Sequence, residues 1–266
     1  MAATQPLLFT VAFRRKMAEL SQPEREEWLL SLVSRLRSTG GLQPGATLGQ
    51  ELREVARGCR LPLVDSIGRQ LGPFDPLHLA AVLEVPRERF VRESDIERSG
   101  EDRPLPLDEE GLATTSAPHA YLLSYRLLHL SPGDSLVELG AGSGYGAALA
   151  AFVVGKAGSV VTFEIDEGLA SWATRTLAGE PNVHVVRADA MSSMGQWGGA
   201  HKVVATFAVT SLPGQWLDAL PEGGRLVAPV GPRERDQQLV LAIRRQGRIV
   251  ETEHGAVRYV KNRSGR

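Results

Sequence analysis

From residue 117 onward, short apolar runs alternate with stretches of helical spacing. Pro118–Leu130 reads as a helix and Ser135–Leu139 as a strand. Gly146–Val154 is again helical, followed by a strand at Ser159–Ile165, a helix at Glu167–Ala178 and a strand at Val183–Arg187. Val203–Phe207, Arg225–Pro229 and Leu239–Arg244 are further strand candidates. Alternation of this kind predicts an α/β fold with a mostly parallel sheet covered by helices on both faces.

The first 85 residues or so follow a helical pattern instead. Ser21-x-x-Glu24 is a capping box, and Trp28, Leu29, Leu32, Val33 and Leu36 recur at helical spacing until Gly40-Gly41. Thr47-x-x-Gln50 opens a second, short helix. Asp75-Pro76 predicts an N-cap with proline at the first helical position, leading into Leu77–Leu83. Residues 92–110, rich in charge and proline, read as a long loop. The expected division is a helical N-terminal extension over 1–75 and an α/β domain over 76–266.

Composition narrows the functional classes. Hydrophobic residues make up 42% of 266, enough for a sizeable core, and the formal net charge of −1 gives no electrostatic reason to expect nucleic acid. Cys59 is the only cysteine, which excludes an intramolecular disulfide and a cysteine-based zinc site. No metal is expected. Neither a secretory signal nor an apolar run long enough for a membrane span is present, so a soluble, cytoplasmic protein is expected.

The chemistry concentrates at Leu136-Val-Glu-Leu-Gly-Ala-Gly-Ser-Gly-Tyr-Gly146. Gly140, Gly142 and Gly144 form a turn between a strand and a helix, where backbone can approach a ligand closely and helix N–H groups lie open. Gly142-x-Gly144-x-x-Ala147, with Glu164 about 20 residues on, satisfies the dinucleotide fingerprint. The same residues suit S-adenosylmethionine, so the turn alone leaves its occupant open, including no ligand at all. Glu138, Glu164 and Asp189 each close a short apolar run, which places three carboxylates along one crevice. Glu164 is expected to accept from ribose hydroxyls, Asp189 to take an adenine amino group, and Glu138 to assist an ammonium group. Ala190 and Met191 offer an apolar wall for the adenine, which tilts the balance toward S-adenosylmethionine. No His, Lys or Tyr is convincingly placed for hydride chemistry.

Ahead of the turn stands Leu112-Ala-Thr-Thr-Ser-Ala-Pro-His-Ala120. Hydroxyls before a proline that starts a helix read as an N-cap region that favours a carboxylate. His119 is expected to pack or hydrogen-bond, since a carboxylate acceptor is already ionised and needs no base.

Thr114–His119 followed by Val137–Tyr145 resembles the protein L-isoaspartate O-methyltransferase family. Val85-Pro-Arg-Glu-Arg-Phe-Val91, Asn182-Val183 before Asp189, and Gly223-Gly-Arg-Leu-Val-Ala-Pro-Val-Gly231 with Gln238-Leu239 extend the similarity, in family order, over about residues 78–261. The resemblance implies a Rossmann-like class I methyltransferase fold, S-adenosylmethionine as cofactor and a peptide or protein carboxylate as acceptor. It implies that Ser116, with Thr115 beside it, contacts that carboxylate. It also implies cofactor contacts from Glu138, Gly140, Gly142, Ser143, Gly144, Glu164, Ile165, Asp189 and Ala190.

Asp189-Ala190 departs from the family's Asp-Gly, and Ala200-His201-Lys202 from its Pro-Phe-Asp; the extension is also longer than a repair enzyme requires. These departures admit two other readings. One is a tailoring enzyme that methylates an Asp side chain or C-terminus of a dedicated ribosomal peptide. The other is an S-adenosylmethionine-binding protein without turnover.

Overall fold

The computed structural model describes residues 48–232 and 236–261, with the backbone course alone for 48–59. The Ser21 capping box, the Trp28–Leu36 stripe and Thr47 lie outside the described residues.

Six helices and nine strands are described. Helix α1 is Leu48–Leu71, α2 Pro76–Glu84, α3 Pro118–Leu128, α4 Tyr145–Val154, α5 Glu167–Thr176 and α6 Gly214–Ala219. Strand β1 is Leu105–Pro106, β2 Thr114–Thr115, β3 Ser135–Leu139, β4 Ser159–Glu164 and β5 Val183–Arg187. Then follow β6 Lys202–Ala205, β7 Arg225–Val230, β8 Gln237–Arg245 and β9 Arg248–Val257. One sheet runs β5-β4-β3-β6-β7-β8-β9, with five parallel strands and an antiparallel β8-β9 hairpin at one side. The predicted mostly parallel sheet is therefore present. Its order reverses between β4 and β6, on either side of β3, which is where open α/β sheets bind ligands.

Side-chain alternation along the strands feeds two cores. Leu136 and Val160 face a cluster with Leu122, Tyr125, Leu149 and Ala173, from α3, α4 and α5. Val137, Leu139 and Phe163 face Trp197 and Trp216 on the other side. The Asp75 side chain caps α2 by accepting from Leu77 N–H at 2.8 Å, as predicted.

Three elements differ from expectation. The helix expected to be short runs 24 residues, through Pro62. Its second half is held by Leu63 and Ile67, buried in the same core as α2 to α4, and such packing outweighs the hydrogen bond that proline removes. Residues 92–110 are not a plain loop: Glu93–Arg98 forms a 3-10 turn, and β1 pairs with β2. The few apolar residues there, Ile96, Leu105 and Leu107, are all buried and fix its course. The edge strand β9 was unforeseen because nearly all of it is exposed and half of its residues are polar.

Arg60 ties α1 to the domain. Its guanidinium donates to Glu88 at 3.0 Å and to the Leu83 carbonyl at 2.6 Å, with both side chains buried. Arg60→Met strands the Glu88 carboxylate in the interior, and breaking such a pair costs about 3–5 kcal/mol. Denaturant unfolding measures the loss, and adding Glu88→Met to Arg60→Met recovers most of it.

Candidate active site

The carboxyl ends of β3, β4, β5 and β6 open into a cleft of about 690 Å³, counting the space open to solvent. Its floor is the glycine turn. Gly140, Gly142 and Gly144 have φ of +100°, +54° and +95°, a region L side chains rarely enter. Contacts add a second constraint. A Cβ on Gly140 would clash with Thr206 Oγ1, and one on Gly144 would meet the Leu177 side chain at 2.7 Å. Gly140 and Gly142 line the cleft, whereas Gly144 does not: its bare Cα lets α5 close against the turn.

Glu164 stands at the centre. One carboxylate oxygen accepts from Gly142 N–H at 2.8 Å and the other from Asp166 N–H at 3.0 Å. Burial pushes its carboxyl up and these N–H groups pull it back. The Ile165 N–H is a third backbone donor to this carboxylate, which leaves acceptor capacity for one ligand hydroxyl. Beside it Ile165, 39% exposed, presents an apolar surface to the cleft. Asp189 accepts from Met191 N–H at 2.8 Å, and the Ala190 carbonyl accepts from Trp216 Nε1 at 3.0 Å, so that wall is braced by α6. Ser143 lines the cleft with a buried hydroxyl that has no hydrogen-bond partner.

Glu138 is not on the cleft. It is 1% exposed, lies beneath the turn beside Gly146, and accepts from Thr162 Oγ1 at 2.6 Å and from the Ala147 N–H. Burial pushes its carboxyl up to about 8. The expected place along the crevice is not realised, because the strand's alternation turns this side chain toward the helical core.

The segment ahead of the turn forms the opposite wall. Thr114 and Thr115 line the cleft, and a Cβ on Gly142 would lie 3.9 Å from the Thr114 carbonyl. Ser116 follows them, half-buried, and does not itself line the cleft. Its N–H donates to the Tyr121 hydroxyl at 3.3 Å, and Tyr121 itself lines the cleft. The helix start that follows is capped in an unforeseen way. The N-cap is Ala117, with no side-chain bond, and the chain's own Asp102 accepts from His119 N–H at 3.1 Å and contacts His119 Nδ1 at 2.9 Å. The carboxylate drawn to this helix start is thus internal, and His119 is a hydrogen-bonding residue, as expected.

Sequence reasoning also missed Thr206, Phe207, Val260 and Lys261, which complete the cleft. The first two follow β6, where a parallel strand's carboxyl end is itself the signal. The last two arrive from the far end of the chain, because Ala208 N–H donates to the Val260 carbonyl at 2.7 Å. Lys261 is the one basic residue lining the cleft among the described residues. The Lys202 departure lies elsewhere: its amine meets Asp134 at 2.6 Å, at the amino end of β6, so it serves the scaffold.

These residues fit S-adenosylmethionine. The bare glycine floor admits a ligand against the backbone, Glu164 has acceptor capacity for a hydroxyl, and Ile165 and Ala190 line the cleft with apolar surface. The orphaned Ser143 hydroxyl offers one further polar contact. Fold and cleft together define a class I S-adenosylmethionine-dependent methyltransferase. A family model described as protein-L-isoaspartate(D-aspartate) O-methyltransferase matches residues 74–266. The chain belongs to this family of methyl-transferring enzymes. The protein-L-isoaspartate O-methyltransferase of Pyrobaculum arsenaticum is 37% identical over 183 residues, 68% of this chain and 86% of its own. That of Gloeobacter violaceus is 35% identical over 200 residues, 74% and 95%. A solved protein-L-isoaspartate O-methyltransferase superposes with a TM-score of 0.69 at 26% identity, covering 76% of this chain and 65% of that one. A Plasmodium falciparum structure in complex with S-adenosyl-L-homocysteine shares the fold, with a TM-score of 0.67 at 21% identity over 77% of this chain and 98% of its own.

Proposed function

We infer that this chain methylates the free carboxylate of L-isoaspartyl residues in peptides or proteins. The observation that carries the reading is the direct apposition of the Thr114–Thr115 wall and the glycine floor across one cleft. S-adenosylmethionine, when bound, supplies a methyl group already activated by the sulfonium. Gly140, Gly142, Ser143, Glu164, Ile165, Asp189 and Ala190 hold it, while Gly144 and Glu138 support the turn from behind. Thr115 and Ser116 position the acceptor carboxylate, and Lys261 balances its charge from the other side. The carboxylate is ionised at neutral pH, so the chain's task is orientation and partial exclusion of water rather than proton removal.

Residues 76–266 form the methyltransferase unit in this reading and 1–75 an N-terminal extension, in keeping with a family match that starts at residue 74. Among the described residues no helix is long and apolar enough to cross a membrane. A single cysteine suits a reducing compartment, and we place the protein in the cytoplasm.

The test offers paired peptides that differ only in one isoaspartyl or aspartyl linkage, with S-adenosylmethionine and detection by mass spectrometry. One methyl ester on the isoaspartyl peptide alone is the expected result, and Ser116→Ala lowers its kcat/KM. A methyl ester on the aspartyl twin or on a C-terminus assigns the enzyme to peptide tailoring instead. Turnover of neither peptide refutes the repair reading.

A further inference from the structure

The Val85–Val91 motif contributes no residue to the cleft, yet it holds one of the largest fully buried side chains among the described residues, Arg87, at 1% exposure. Among the described residues its guanidinium meets no carboxylate within salt-bridge distance and donates to backbone carbonyls alone. Nη1 reaches Glu101 at 2.7 Å and Ser99 at 3.3 Å; Nη2 reaches Arg103 at 2.7 Å and Ser116 at 3.1 Å. The cation also lies 5.7 Å from the centre of the Tyr145 ring, the first residue of α4 after the glycine turn. One planar group therefore touches the acceptor segment, the strand of chain that crosses behind it, and the helix that follows the cofactor turn. Only arginine offers a fork of donors wide enough for this pattern. The next residue, Glu88, is pinned by Arg60 of α1, so the fork is held from its own base.

We propose that Arg87 is the positioning residue of the methyl-acceptor segment, fixing Ser116 through its carbonyl relative to the cofactor floor, and that the Arg60–Glu88 pair braces it. The proposal rests on the reading of Thr115–Ser116 as the acceptor side. Backbone hydrogen bonds within residues 114–117 are few: β2 is two residues long, and the Ser116 N–H has the Tyr121 hydroxyl at 3.3 Å as its partner. Residues 99–103 lie between a 3-10 turn and β1. Without Arg87 both stretches lose their shared anchor, whereas the Glu164–Gly142 bond and the floor do not involve it.

Arg87→Lys keeps the charge and loses the fork. Two measurements on the full chain test the role. Hydrogen exchange read by mass spectrometry is expected to quicken at least tenfold for amides within 112–117 and 99–103, with residues 135–144 unchanged. Misplacement of a reacting group by about 1 Å costs roughly 100-fold, so kcat/KM for the isoaspartyl peptide falls by about 10- to 100-fold while the Kd for S-adenosylmethionine stays within about twofold. Arg60→Lys, which spares Arg87 itself, shifts both readouts in the same direction by less. Faster exchange spread across the domain, or a Kd that worsens as much as kcat/KM, makes Arg87 a general core residue and overturns the proposal. Unchanged exchange at 112–117 also overturns it. If the wild-type chain methylates no isoaspartyl peptide, the acceptor reading fails, and the exchange pattern still decides whether Arg87 holds this segment.

Discussion

Glutamine in place of Glu164 weakens S-adenosylmethionine binding by about 100-fold. Both carboxylate oxygens already accept backbone N–H groups, from Gly142 and from Asp166. An amide has one acceptor, so either orientation sets its NH2 against one of these donors. If it turns toward Gly142 the glycine floor shifts; if toward Asp166, the cap of α5 is disturbed, since Asp166 accepts from Leu169 N–H at 2.9 Å. The same substitution turns a charged acceptor for the ribose into a neutral one. Hydrogen bonds to charged groups contribute about 1.5–3 kcal/mol, and the upper end of that range is a factor of about 100 in Kd. Titration calorimetry reads the affinity and circular dichroism checks that the fold persists. An affinity within threefold of wild type would show that Glu164 does not hold the cofactor.

The second large effect is on stability and depends on pH. The Glu138 carboxyl has a value of about 8 in the folded protein against an ordinary 4.5, and burial is the leading cause. Between these values the native state keeps a proton that the unfolded chain has released, so stability falls as pH rises from about 4.5 to 8. Below that window both states are protonated and the loss is absent; above it both are ionised and the loss is complete. At 1.36 kcal/mol per unit the loss reaches about 4–5 kcal/mol. Glu138→Gln removes it. The amide oxygen accepts from the Ala147 N–H, and its nitrogen donates to Thr162 Oγ1 once that hydroxyl turns. The variant is therefore more stable than wild type at pH 8.5 and close to it at pH 5, as urea unfolding at the two pH values measures. A difference that does not change with pH would refute the assignment.

The parallel part of the sheet was legible because its strands are apolar runs, buried in all but the edge strand β5. Ser135–Leu139 and Val183–Arg187 coincide with β3 and β5, and β4, β6, β7 and β8 differ by at most two residues at either end. The long α1 was not legible, because Pro62 argues locally for a break and only the tertiary burial of Leu63 and Ile67 overrides it. In the site, glycines and strand-end acids announced the cofactor side. Glu138 misled, since a carboxylate at a strand end and one buried a residue earlier look alike in sequence. Asp102 on His119, and Val260 with Lys261 at the cleft, come from contacts between distant parts of the chain, which no local spacing encodes.

The bond from Ala208 N–H to the Val260 carbonyl has a bearing on biosynthesis. A chain emerging from the ribosome presents its amino-terminal elements first. The cofactor floor and the Thr114–Thr115 wall are available once β6 has emerged, but the wall of Val260 and Lys261 arrives about 50 residues later, after the β8-β9 hairpin. The floor of the cleft is thus synthesised well before the segment that closes it, and in our reading a nascent chain completes the methyl-donor side of the site before the acceptor side.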